Sequence, residues 1–262
     1  MRIVGESGPV VLLLPGGAAG IDGFFPGLAE GLVADPGCRV VLHDRPGVGA
    51  SEVEGSLEDA ADALHDLLAA EGLGPVVAIG QSLGGAVALL LAAAHPSDVA
   101  GLVLLDATPV DDPALGALVE TRAEQTARLA RVPLVARALG ALLRASGRRS
   151  ARRHGVSPAA RTELLHLGDT DMARLARAAT GIAAVAATFD VARLPRVPAA
   201  VVTADRRASD PIRASHQRIA DALGVPLRSW PGAEHAVHLT HEREVLEASR
   251  AVVRRVAEVQ AS

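Results

Sequence analysis

A chain of 262 residues with 26 basic and 30 acidic side chains is long enough to bury the core of one sizeable α/β domain. Its net charge of -4 gives no general reason to expect nucleic acid or an acidic membrane surface as partner. The single cysteine, Cys38, excludes an internal disulfide and thiolate metal clusters, and beside an apolar stretch it reads as a small packing residue.

The N-terminus runs straight into Met1-Arg2-Ile3-Val4 without a charged region, a leader-length apolar segment or a cleavage site. No later apolar run reaches about 18 residues, so a soluble, cytoplasmic protein is expected. All basic residues are arginine, and lysine, asparagine and tyrosine are absent, a bias that GC-rich coding explains. Any oxyanion or proton-transfer role must therefore be filled without those three side chains.

In chain order, short apolar runs bounded by turn residues predict strands at Val10–Leu14, Arg39–His43, Pro75–Gly80, Gly101–Leu105, Ala199–Thr203 and Leu227–Trp230. Runs of this length without alternation suit strands buried on both faces of a parallel sheet. Helical periodicity separates them at Phe24–Ala34, Ser56–Glu71, Leu83–Ala94, Ile212–Leu223 and Glu242–Val259. That alternation predicts an α/β fold with a doubly wound, mostly parallel sheet. Residues 109–196 break the alternation and read as an inserted helical cap, dividing the core into 1–108 and 197–262. Within the cap, Ser146-Gly147-Arg148-Arg149 and His154-Gly155-Val156-Ser157-Pro158 are expected as loops. Its many arginines are accounted for by a solvated face; the sharper expectation is a basic mouth for anionic substrates or a phosphopantetheine-bearing carrier.

Four loops carry chemical character. Gly80-Gln81-Ser82-Leu83-Gly84, between a predicted strand and helix, fits the G-x-S-x-G nucleophile elbow, whose glycines give a crowded backbone room. Leu12-Leu13-Leu14-Pro15-Gly16-Gly17-Ala18 follows the first long strand. His43-Asp44-Arg45-Pro46-Gly47-Val48-Gly49-Ala50-Ser51 follows the next. Trp230-Pro231-Gly232-Ala233-Glu234-His235-Ala236-Val237-His238-Leu239 follows the last. Together they resemble the α/β-hydrolase superfamily over essentially the whole chain. That resemblance implies Ser82 as nucleophile, His235 as its base, and main-chain N–H groups of Gly17 and Leu83 as the oxyanion hole. Proline stands at position 15, where relatives usually have histidine. Asp44 and Arg45 are implied as a loop-fixing pair, and His238 as a wall or supporting residue.

The triad acid stays open at this stage. In the loop after the penultimate strand, Val201 to Pro211, alanine replaces the usual glycine and Arg207 holds the expected acid position. Asp210, Asp205 at the strand's end, and Asp106 at the end of the strand after the nucleophile helix are the three candidates. The resemblance implies a serine hydrolase cleaving a carboxylic ester, lactone or thioester through an acyl-enzyme, with no metal and no cofactor. The alternatives are a biosynthetic cyclase or acyltransferase with the same triad, and a ligand receptor without turnover. A small acyl substrate is the expected partner, with an acyl carrier or a second copy of the chain as further candidates.

Overall fold

The computed structural model describes residues 1–261. β2 (Val10–Leu14) and β4 (Val76–Gln81) are buried along their whole length, as strands covered on both faces must be. They form the centre of a seven-stranded sheet with β1 (Arg2–Val4), β3 (Arg39–Leu42), β5 (Val99–Leu105), β6 (Ala199–Val202) and β7 (Leu227–Arg228). The order is β1-β3-β2-β4-β5-β6-β7. All pairings are parallel except β1 with β3. Successive side chains of each strand face opposite ways. Leu12, Leu14 and Ala78 therefore join one apolar layer with α2 (Ala60–Ala70), α3 (Leu83–Ala94) and α9 (Pro211–Leu223). Val11, Leu13 and Ile79 join the other with α1 (Leu28–Ala34) and α11 (Glu242–Gln260). Cys38 packs in this second layer, and burial pushes its thiol up to about 11.

Strand β1 adds an element that the sequence does not mark, because Arg2-Ile3-Val4 is too short a run to read as a strand. The predicted helix starts at Phe24 and Ser56 are four residues early. Gly23 and Gly27 adopt left-handed φ of 80° and 70° ahead of α1, and Ser56 and Asp59 hydrogen-bond each other in a turn ahead of α2. A short helix, α10 (Val237–Thr240), also precedes α11.

Between β5 and β6 lie α4 (Pro113–Ala130), α5 (Pro133–His154), α6 (Pro158–His166), α7 (Met172–Ala179) and α8 (Ile182–Thr188). Proline opens α4, α5 and α6, where its missing N–H costs nothing. Asp112, Ser157 and Asp171 cap the free N–H groups of α4, α6 and α7. The loop at His154 to Pro158 forms as expected, ending α5 on a left-handed Gly155. The expected loop at Ser146 to Arg149 does not form: α5 runs through it. Gly147 is there because α6 crosses at backbone contact, so that a Cβ would strike the Leu164 carbonyl. Ser150 donates to Glu234 at 2.9 Å, and Ser157 to Glu242 at 2.7 Å. The first bond ties the helical segment to the loop carrying His235, and the second ties it to the start of α11. Among the described residues, no helix is long and apolar enough to cross a membrane.

The register decides where the loops meet. Leu14 stands opposite Gly80, Gln81 opposite Leu105, and Leu105 opposite Val202. The chain thus leaves β2, β4, β5 and β6 at one level, along the carboxyl edge where open α/β sheets bind their ligands.

Candidate active site

Ser82 lies between β4 and α3 with φ 50° and ψ -119°. Among the described residues, it and Asp106 are the two non-glycine residues with positive φ. Such strain persists only where the surroundings over-determine it, and it clusters at functional sites. Here the Ser82 N–H donates to the Leu105 carbonyl at 3.1 Å, and the Ser82 carbonyl accepts from the Thr108 N–H at 2.8 Å. The flanking glycines are steric necessities. A Cβ on Gly84 would collide with the Leu14 carbonyl, and one on Gly80 with the Gly84 carbonyl. Gly84→Ala is therefore expected to cost about 2–3 kcal/mol of stability, read as a lower urea midpoint; an unchanged midpoint would contradict this account of the elbow.

His235 reaches Ser82 from the loop after β7. Its Nε2 is 3.0 Å from Ser82 Oγ, and its Nδ1 is 2.6 Å from Asp106 Oδ2. An ionised carboxylate only accepts, so the proton sits on Nδ1 and leaves Nε2 free to accept from the serine hydroxyl. Gln81 Nε2 donates to the His235 carbonyl at 2.9 Å, anchoring the histidine's main chain to the residue preceding the serine.

Asp106 is 1% exposed. It accepts from the Ala204 N–H at 2.8 Å and from both terminal nitrogens of Arg206, at 2.5 and 2.8 Å. Burial alone would raise its pKa. The hydrogen bond and charge of His235, with those of Arg206, outweigh burial and hold the carboxyl well below the usual carboxylate range. Beneath it, His216 Nε2 donates to the Ala107 carbonyl at 2.7 Å, and its Nδ1 accepts from the Thr203 hydroxyl at 2.9 Å. Burial lowers the pKa of His216, which suits this neutral, fully paired ring.

Of the three acid candidates, the fold brings only Asp106 to His235. Asp210 instead caps α9, accepting from the Ile212 N–H at 2.9 Å and the Arg213 N–H at 3.3 Å. It must be corrected from catalytic candidate to helix cap, because the Asp-Pro-Ile wording serves an N-cap followed by a first-turn proline. Asp205 accepts from the Gly232 N–H at 2.8 Å and so braces the loop that holds His235. Sequence reasoning missed Arg206 and Gln81. Arg206 is separated from Asp106 by a hundred residues and carried no local signal, whereas Gln81 sits inside the elbow motif itself.

Gly16 and Gly17 lie against the elbow. A Cβ on Gly16 would come within 3.0 Å of Ser82 Cβ, and Gly17 adopts φ 57°. Leu83 opens α3, so its N–H belongs to the free first turn of that helix. Asp44 accepts from the Ile21 and Ala50 N–H groups, both at 2.6 Å; it fixes the two loops through main-chain contacts.

His238 is buried, stacked on Phe24 with ring centroids 4.5 Å apart, and neither of its ring nitrogens has a partner. Burial, aided by the charge of His235, pushes its pKa down to about 3. The folded state thus excludes a proton that the unfolded chain takes up near pH 6.5. Stability contributed by this neutral ring is complete above pH 6.5 and is lost as pH falls from there towards 3. Replacing His238 with phenylalanine is expected to flatten that part of the stability profile, measured by urea unfolding; an unchanged slope would refute the assignment.

The chain matches the family described as alpha/beta hydrolase fold over residues 9–191. It is 34% identical over 257 residues, 95% of each chain, to a pimeloyl-[acyl-carrier protein] methyl ester esterase of Chromobacterium violaceum. It is 40% identical over 104 residues to Lipase LipV of Mycobacterium tuberculosis, a match spanning 39% of this chain and 39% of that one. In fold it is similar to a thermophilic esterase from Thermogutta terrifontis, with a TM-score of 0.75 and 24% identity over 98% of this chain and 93% of that one. The family match, the full-length relative and the mostly parallel sheet with its strand-end loops agree: this chain belongs to the α/β-hydrolase fold family.

Proposed function

We propose that the chain is a carboxylic ester hydrolase acting through an acyl-enzyme on Ser82, with His235 as base and Asp106 as the acid that orients it. The observation that carries this reading is the line from Ser82 Oγ to His235 Nε2 at 3.0 Å and from His235 Nδ1 to Asp106 at 2.6 Å. In this reading His235 takes the serine proton as Oγ attacks the ester carbonyl. The N–H groups of Gly17 and Leu83 receive the developing oxyanion, helped by the positive end of α3. The imidazolium then protonates the departing alkoxide, and a water activated by the same ring releases the acid.

The His235 side chain is 59% exposed, so water has direct access to the base. That openness supports hydrolysis over cyclisation or acyl transfer, which need water kept out. The full-length likeness to a methyl ester esterase supports an ester ahead of a lactone or thioester. On α5, Arg148, Arg149, Arg152 and Arg153 are exposed, and Arg153 approaches Gly232 in the His235 loop. This basic row supports an anionic ester, free or carried on an acidic protein, and predicts a KM that rises with ionic strength.

A panel of p-nitrophenyl esters, lactones and thioesters of graded chain length tests the class. Turnover led by esters is expected, and a folded protein inert to all three classes would overturn the reading. Arg206 adds a prediction about pH. Its guanidinium shares the Asp106 charge that would otherwise stabilise a protonated His235. Arg206→Gln is therefore expected to move the acid limb of the kcat/KM profile to higher pH. A limb that stays in place or moves to lower pH would contradict this role.

A further inference from the structure

At the opposite end of α3 from Ser82, three chain segments bring two imidazoles and two carboxylates together. His65 and Asp62 come from α2, His95 ends α3, and Asp98 lies in the 3-10 turn Pro96–Asp98. The two rings stack with centroids 4.1 Å apart and planes within 6°. His65 Nδ1 is 2.6 Å from Asp98 Oδ2, and His95 Nε2 is 2.6 Å from Asp62 Oδ1. One donor atom from each of His65, His95 and Asp98 lies within 4.8 Å of the other two, and all three residues are half-buried.

We infer that this cluster is a binding site for a divalent zinc-like cation. Zinc binds imidazole nitrogen and carboxylate oxygen at about 2.0–2.2 Å in tetrahedral sites, so its ligand atoms stand roughly 3.3–3.5 Å apart. The donor atoms already lie within 4.8 Å of one another, and side-chain rotation that turns the two rings out of their stack brings a nitrogen of each to bear on one ion. Asp98 and Asp62 each hold one ring nitrogen by a hydrogen bond, so an ion bound here takes the place of the shared protons. Asp62 is 75% exposed on its side chain and can turn in as a fourth ligand, or leave that position to water.

Ser82 and His95 bracket the whole length of α3, which at about 1.5 Å per residue puts the cluster near 20 Å from the elbow. The ion therefore acts as a clip between α2 and the end of α3, outside the ester chemistry. This inference does not depend on the function proposed above.

The test uses the full chain stripped with chelator and titrated with Zn2+. Calorimetry should give one ion per chain. The melting temperature should rise by roughly 3–5 °C at a tenfold excess over Kd, equally in wild type and Ser82→Ala. His65→Gln with His95→Gln should abolish both signals. Asp98→Asn should weaken binding, and Co2+ should give a visible d–d spectrum in wild type alone. Kd weaker than about 1 mM in wild type, or binding undiminished in the double-histidine variant, overturns the site. Should the double variant fail to fold, His65→Gln alone decides by the same two readouts.

Discussion

Asp106→Asn is expected to lower kcat by about 10^4-fold, while Asp210→Asn and Asp205→Asn each leave it within roughly tenfold. An asparagine amide can present its NH2 where the carboxylate accepted from His235 Nδ1. It then favours the tautomer with the proton on Nε2, which cannot accept from Ser82. Asp210 makes its bonds to the first turn of α9, where asparagine caps as well as aspartate, so Asp210→Asn should keep its stability and only Asp210→Ala should lose about 1 kcal/mol. Asp205 should affect rate only through the looseness it gives the His235 loop. The same Asp106 substitution leaves Arg206, which is 17% exposed on its side chain, facing a neutral partner. A stability loss of about 2–4 kcal/mol at pH 7 is expected. Because the folded-state pKa of Asp106 is depressed, its contribution is complete above the unfolded carboxyl pKa, near 4, and is lost as pH falls below it. Urea unfolding at pH 7 and pH 3 should show wild type and variant converging at the lower pH. Equal stability at pH 7, or an Asp210→Asn variant as inactive as Asp106→Asn, would refute this assignment of the acid.

Ser82→Ala is expected to remove about 10^5–10^6 of kcat, as loss of the nucleophile does when base and oxyanion donors remain. Its fold should persist, because alanine at this position alters no packing and the main-chain bonds of the elbow are kept. Ser82→Gly makes the sharper comparison. Glycine adopts φ near 50° without strain, so this variant should be as inactive as Ser82→Ala but about 1 kcal/mol more stable than wild type. Stability gained by deleting the Ser82 side chain would show directly that the turn holds strain. Ser82→Gly less stable than Ser82→Ala would contradict that view.

The parts of the molecule legible in the sequence are those set by short-range patterns. Val10–Leu14 and the run ending at Gly80 read as doubly buried strands because they are apolar without alternation, and they form the sheet's centre. The elbow was legible because its glycines are required by contacts within a few residues, and by β2 lying one strand away. His235 stood out by its motif, and the fold sets it 3.0 Å from Ser82. What escaped depends on distant segments meeting. Gly147 reads as a helix breaker until α6 is seen crossing over it. Asp106, Asp205 and Asp210 all follow or flank strand ends, and only the aligned register of β5 and β6 shows which one His235 meets. Arg206 was passed over for the same reason: its partner lies across the sheet edge, and a chain whose only strong base is arginine offers no contrast to mark it.

The account stands or falls on Ser82 as the attacking group. A fluorophosphonate probe, followed by peptide mapping of the adduct by mass spectrometry, tests that directly. One phosphonyl group per chain on Ser82, absent in Ser82→Ala and slowed in Asp106→Asn, is the expected result. A folded wild-type protein that takes no label, or carries it on another residue with Ser82 unmodified, would contradict it.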